Sequence, residues 1–181
     1  MRIEAPAGEP DPGAVADPLA DSLAGCRILV GVSDSAARLV SPVALASLSR
    51  HPCHLDADQW SHHAPRPLHI DLAEWADLVL VAPLSATSLA RWCHGLADTL
   101  LASVLLACEA PVVVAAAMNT AMWASPGVVE NWERLAAMER VLPLAPGRGL
   151  LACDRRGAGR MVEPLELELA LESVRLRGCR R

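Results

Sequence analysis

The chain has 181 residues, 52% of them hydrophobic, no Phe or Tyr, and a formal net charge of −5. That length can bury a core in one domain without metal or disulfide staples, and the net acidity argues against a nucleic-acid surface. The late cluster Arg175, Arg177, Arg180 and Arg181 reads as a solvated helix end, and Cys26, Cys53, Cys93, Cys108, Cys153 and Cys179 show no CxxC spacing, so free thiols are expected.

Residues 1–24, rich in Pro, Ala and Asp without periodicity, read as a flexible arm before a domain over 25–181. They carry acids and prolines where a signal peptide needs an apolar run, and the apolar stretch around Val112 is too short to span a bilayer. A cytoplasmic protein with no membrane partner is therefore expected. "CRILVGV" (26–32) is a short β-branched run that predicts a buried parallel strand. Ser41 and Pro42 then open a helix as cap and first position. Residues 50–68, broken by Pro52, Pro65 and Pro67, read as loop, followed by the short helix "IDLAEWA".

"DLVLVAP" (77–83) is the second strand, and "SLARWCHGLADTLLASVLLAC" predicts two helices meeting near Gly95. "PVVVAAAM" is the third strand, and Ser125 with Pro126 opens another helix. A short strand near "VLPL", a Gly- and Arg-rich loop over 146–160 and a terminal helix in "EPLELELALESVRLR" complete the chain; in that helix early acids and late arginines oppose the macrodipole. Strands alternating with helices imply an α/β fold with an open, mostly parallel, doubly wound sheet, Rossmann-like in class. Ligands in such sheets bind beyond the carboxyl ends of strands, where "PLSATS" and "AMNTAMW" both fall.

The stretch "AAAMNTAMW" (115–123) allows two readings. One is a strand running into a helix capped by Asn119, with Met118, Met122 and Trp123 as core; the other is a cofactor site. A metal is not expected: His51, Cys53, His54, His62, His63 and His69 match neither HExxH nor a zinc-finger spacing, and read as solvated loop histidines.

"HIDLAEWADLVLVAPLSATSLARWCHGLADTLLASVLLACEAPVVVAAAMNTAMW" followed by "GLLACDRRGAGRMVEP" resembles the homo-oligomeric flavin-containing cysteine decarboxylases. That family includes phosphopantothenoylcysteine decarboxylase and the enzymes that decarboxylate C-terminal cysteines of ribosomal peptides. The motifs match in order from about Ser41 to Pro164. The resemblance implies a catalytic histidine at His69. It implies a flavin-binding motif over Pro83, Leu84, Ser85, Ala86, Thr87 and Ser88, and a flavin and substrate edge at Met118, Asn119, Met122 and Trp123, with Asn119 handling the carboxylate. It also implies a substrate-clamp loop with Ala152 and Cys153, in which Cys153 supplies a proton while reduced flavin returns electrons to an enethiol. The implied cofactor is FMN, with FAD as the alternative. The implied partners are a small molecule or peptide ending in cysteine, and further copies of the chain in a trimer or dodecamer with Trp75 and Trp123 as interface aromatics.

The chemistry agrees with that set. Losing CO2 from a cysteine leaves a carbanion with no electron sink, so the thiol must first be oxidised toward a thioaldehyde by a two-electron acceptor such as flavin. Against the family pattern, about one βα unit is missing between "CRILVGVS" and "DSAARLVSPVALASLS", which leaves Ser33 and Ser35 as the candidates for the flavin phosphate. Thr87 stands where the family has Asn or Asp, and Ala116 where it has Pro. Three functions follow: decarboxylation of phosphopantothenoylcysteine, decarboxylation of a peptide C-terminal cysteine, or an inactive regulatory or assembly homologue.

Overall fold

The computed structural model describes residues 26–62, 65–150 and 156–178. The expected arm, and with it His63, Ala152, Cys153 and Cys179, lies outside the described residues.

The first strand is shorter than its apolar run suggests. β1 covers Val30–Val32 and pairs in parallel with β2, Cys53–Leu55. Between them runs α1, Pro42–Ser49, whose cap is Ser41: its Oγ accepts from the Ala44 amide at 3.4 Å, and the helix ends at Arg50 with φ 60°. β2 corrects the expectation of loop over 50–68. Three residues are too few to register a period, and their partner is supplied by β1 across α1. A 3-10 turn over Asp56–Trp60 follows, in which the Asp58 carboxylate accepts from the Leu55 amide at 2.8 Å. α2 covers Leu68–Trp75.

The main sheet is parallel, in the order β3 (Val79–Leu84), β4 (Val112–Ala116), β5 (Val141–Leu144). β4 is central and buried at all five positions, which explains its unbroken apolar sequence. Its alternation sends Val112 and Val114 into a cluster with Leu89, Trp92 and Leu135, and Val113 and Ala115 toward Leu171 and Leu167 on the other side. Helices therefore cover both faces, as a doubly wound sheet requires. Each fully buried Leu or Val side chain in these clusters contributes about 1.5–3 kcal/mol.

Two helices do meet near Gly95, which takes φ +69°: α3 (Ala86–Cys93) and α4 (Leu100–Ala107), the latter capped by Thr99. After β4 come α5 (Thr120–Trp123) and α6 (Pro126–Ala136). The expected loop over 146–160 is instead an antiparallel pair, β6 (Gly147–Leu150) with β7 (Arg156–Arg160). Glycine alternates with Arg, Ala or Leu in this ladder, so neither face is apolar along its length and no hydrophobic period marks it. α7, Pro164–Gly178, is the terminal helix expected. Among the described residues no helix is long and apolar enough to cross a membrane.

Candidate active site

β3 and β4 stop at one level. Leu84 is in register with Ala116, and the Ala117 amide donates to the Leu84 carbonyl at 3.2 Å. The residues that follow each strand are thereby brought side by side. On the β3 side, Ser85 caps α3: its Oγ accepts from the Ser88 amide at 3.2 Å, and its hydroxyl reaches Ser88 Oγ at 3.2 Å. Pro83, joined to Ala82 by a cis peptide, and Thr87 are exposed beside it, with Ala86 half-buried.

On the β4 side, Asn119 Oδ1 accepts from the Ala121 amide at 2.8 Å and caps α5, so Asn119 is the cap that the simpler sequence reading expects. It is also exposed at the strand end, so the two readings of this residue are compatible. The core half of the simpler reading fails for Met122, which is 48% exposed; Met118 and Trp123 are half-buried. Trp123 meets Trp132 of α6 edge to face, centroids 5.0 Å apart.

The β6–β7 hairpin docks on the same corner. The Met118 amide donates to the Gly159 carbonyl at 3.0 Å, and a side chain at Gly157 would collide with Thr120 Oγ1, which is buried without a hydrogen-bond partner. Beside it, Arg148, Gly149, Arg156 and Gly157 line a cavity of about 310 Å³.

His69 sits in the first turn of α2, and its Nδ1 is buried and unpartnered among the described residues. Ser33 and Ser35 lie after β1. Ser33 Oγ accepts from the Ala36 amide at 3.3 Å, its carbonyl from Ala37 at 2.9 Å, and the Ser35 carbonyl from Arg38 at 3.3 Å. Asp56 closes this loop, taking the Asp34 amide on one oxygen at 3.4 Å and the Leu100 amide on the other at 2.9 Å. Sequence reasoning missed Asp56, Thr120 and Gly157 as site-shaping residues.

Tested against a flavin, the two regions differ. Hydroxyls, an amide and thioethers at the ends of β3 and β4, with the orphaned Thr120 hydroxyl behind them, suit a ring that has both apolar faces and a hydrogen-bonding edge. In the loop after β1 the amides of Asp34, Ala36, Ala37 and Arg38 are bonded within the chain, and Ser33 and Ser35 stay the candidates for a flavin phosphate. Among the described residues no group of three metal-ligating side chains converges. The Cys93 thiol donates to the Asn131 carbonyl at 3.2 Å; burial pushes its pKa up, partly offset by Arg134.

Residues 14–171 match the family model described as Flavoprotein. The coenzyme A biosynthesis bifunctional protein CoaBC of Bacillus subtilis is 39% identical over 142 residues, 78% of this chain and 34% of that protein. The corresponding protein of Escherichia coli K12 is 34% identical over 145 residues, 79% of this chain and 35% of its own length. The chain thus spans about a third of these relatives. Among solved structures, a PPC decarboxylase mutant complexed with pantothenoylaminoethenethiol superposes with TM-score 0.72 at 29% identity, covering 84% of this chain and 86% of that one. The FMN-dependent cysteine decarboxylase SpaF gives TM-score 0.72 at 26% identity, covering 90% of each chain.

Proposed function

Because the chain belongs to the flavoprotein family, we propose that it is an FMN-dependent decarboxylase acting on a cysteine carboxylate. The observation that supports this reading is the common level of Leu84 and Ala116, from which the stretches beginning at Ser85 and at Ala117 leave the sheet. These are the two motifs that the resemblance assigns to flavin and to the carboxylate.

Bound flavin supplies the two-electron oxidation of the substrate thiol that makes loss of CO2 feasible. Ser85, Ala86 and Thr87, with Pro83, Met118 and Met122, would hold it. The Asn119 amide holds the substrate carboxylate by hydrogen bonding alone, without the charge pairing that would stabilise it against leaving. The resemblance also assigns Trp123 and Ala152 to the substrate. His69 carries the proton of the substrate thiol, a task suited to imidazole near neutral pH. The complete site is placed between copies of the chain, in a cytoplasmic trimer or dodecamer, as the resemblance implies.

The favoured substrate is phosphopantothenoylcysteine, in coenzyme A biosynthesis, with Cys153 as proton donor to the enethiol. A peptide ending in cysteine is the second reading, favoured by the 90% mutual coverage with SpaF. The test is the visible absorption spectrum of the purified protein, followed by light scattering. A flavin spectrum and a multiple of three chains are expected. A protein that stays colourless after incubation with FMN and FAD would refute the reading and leave a regulatory or assembly homologue.

A further inference from the structure

We propose that Arg148 and Arg156 form a phosphate subsite on the β6–β7 hairpin, which holds the far end of a phosphorylated substrate while its cysteine end lies at the Asn119 corner. This rests on the decarboxylase reading above and concerns which cysteine compound the site prefers.

The strand register brings the two arginines together. Leu150 is paired with Arg156, Gly149 with Gly157 and Arg148 with Ala158, so Arg148 and Arg156 lie two rungs apart on one face of the ladder. Diagonal neighbours of this kind are about 7–8 Å apart, which lets two long side chains meet one anion. The rung between them is a pair of glycines and adds no side chain. All four residues, Arg148, Gly149, Arg156 and Gly157, line the cavity of about 310 Å³. Charge points the same way. The chain is net −5, yet the described part of the hairpin carries three arginines and no carboxylate. Arg160 is taken by Glu163 at 2.6 Å. Arg148 and Arg156 are exposed, and among the described residues no carboxylate pairs with either. Two like charges on one ladder face repel each other, and a bridging phosphate dianion removes that cost.

Reach selects the ligand. The hairpin meets the Asn119 corner where the Met118 amide donates to the Gly159 carbonyl at 3.0 Å. Arg156 stands three residues along β7 from Gly159, about 10 Å at about 3.3 Å per residue. In phosphopantothenoylcysteine about eleven bonds separate the cysteine α-carbon from phosphorus, about 13 Å when extended. A cysteine carboxylate held at Asn119 thus lets the phosphate reach the arginines, whereas a peptide ending in cysteine carries no fixed dianion at that distance. FMN bears the same phosphate chemistry, so the test separates the two sources.

The experiment measures kcat/KM for CO2 release by flavin-loaded protein from phosphopantothenoylcysteine, from pantothenoylcysteine and from a peptide ending in cysteine. A charge-assisted hydrogen bond is worth about 10- to 100-fold, so the phosphorylated compound is expected to lead its unphosphorylated form by at least about tenfold. Arg148→Gln and Arg156→Gln should each lower that ratio by about three- to tenfold, mainly through KM, because the phosphate is remote from the reacting carbon. Arg156→Lys keeps the charge and should restore part of it. A general loosening of the hairpin would lower both compounds together and leave the ratio as it was. The FMN affinity of the same variants, read by flavin fluorescence, should stay within about threefold of wild type. A wild-type ratio below about threefold, a ratio unchanged in both Gln variants, or a matching loss of FMN affinity would overturn this inference while leaving the decarboxylase reading intact. Turnover of the peptide alone would overturn it in favour of the peptide substrate. CO2 from none of the three would overturn both.

Discussion

Gly157→Ala tests the docking of the hairpin on α5. The added methyl would overlap Thr120 Oγ1 and stand 3.2 Å from Thr120 Cβ and Cγ2. Threonine is stiff at χ1, and here it is packed, so it cannot swing aside without moving α5. Overpacking of this kind costs about 1–3 kcal/mol. Gly157 is not in the left-handed region, so alanine also recovers about 0.4–1 kcal/mol by restricting the unfolded chain. The net expectation is a loss of about 1–2 kcal/mol, or about 2–8 °C in Tm for a chain of this size. Thr120→Ala removes the overlapping atoms and an unsatisfied buried hydroxyl, but leaves Cβ at the tight 3.2 Å contact, so rescue in the double variant should be partial. Urea denaturation of wild type, both single variants and the double variant measures the coupling, expected at about 1 kcal/mol with unchanged m. A Gly157→Ala protein within about 0.5 kcal/mol of wild type, or strict additivity in the double variant, would refute the close approach.

His69→Asn should keep flavin bound and lower decarboxylation by about two to four orders of magnitude, read as CO2 release from flavin-loaded protein. Cys153→Ser should still release CO2 from phosphopantothenoylcysteine while the enethiol accumulates, since a serine hydroxyl is a poor proton donor; mass spectrometry of the products checks this, and the same saturated product from both proteins would count against it. Cys93 should alkylate more slowly than the exposed Cys26, as timed by iodoacetamide labelling. Because burial raises its pKa above the reference 9.0, the Cys93 contribution to stability is present below that pH and lost as pH climbs through the raised value. The fall in urea midpoint between about pH 8 and about pH 10 should therefore shrink in Cys93→Ala.

What could be read from the sequence followed what side chains declare. β4 was legible because burial on both faces makes every residue apolar, and the α3–α4 break because Gly95 takes a conformation other residues resist. Ser85 and Asn119 stood in motifs whose polar atoms interrupt apolar runs. β2 was too short to have a period, and in β6–β7 neither face is apolar along its length. Asp56 was invisible for a different reason. In "DAD" it looks like any solvated loop acid, and its Leu100 partner is 44 positions away. The Gly157–Thr120 contact likewise joins a glycine and a threonine that carry no mark of each other.

The fold also divides into two tiers. Among the described residues β1 and β2 form a two-stranded ladder of three residues each, with Leu39, Val43 and Leu48 largely exposed around it, whereas β4 is buried throughout. A two-stranded ladder is marginal by itself, so this layer opens in a local fluctuation while β4 stays closed until the whole domain unfolds. Amide protons of Gly31 and His54 should exchange with solvent ahead of those of Val113 and Val114. A protease sampling the native protein would accordingly make its first cut in the amino-terminal layer, leaving the β3–β4–β5 sheet as the surviving fragment.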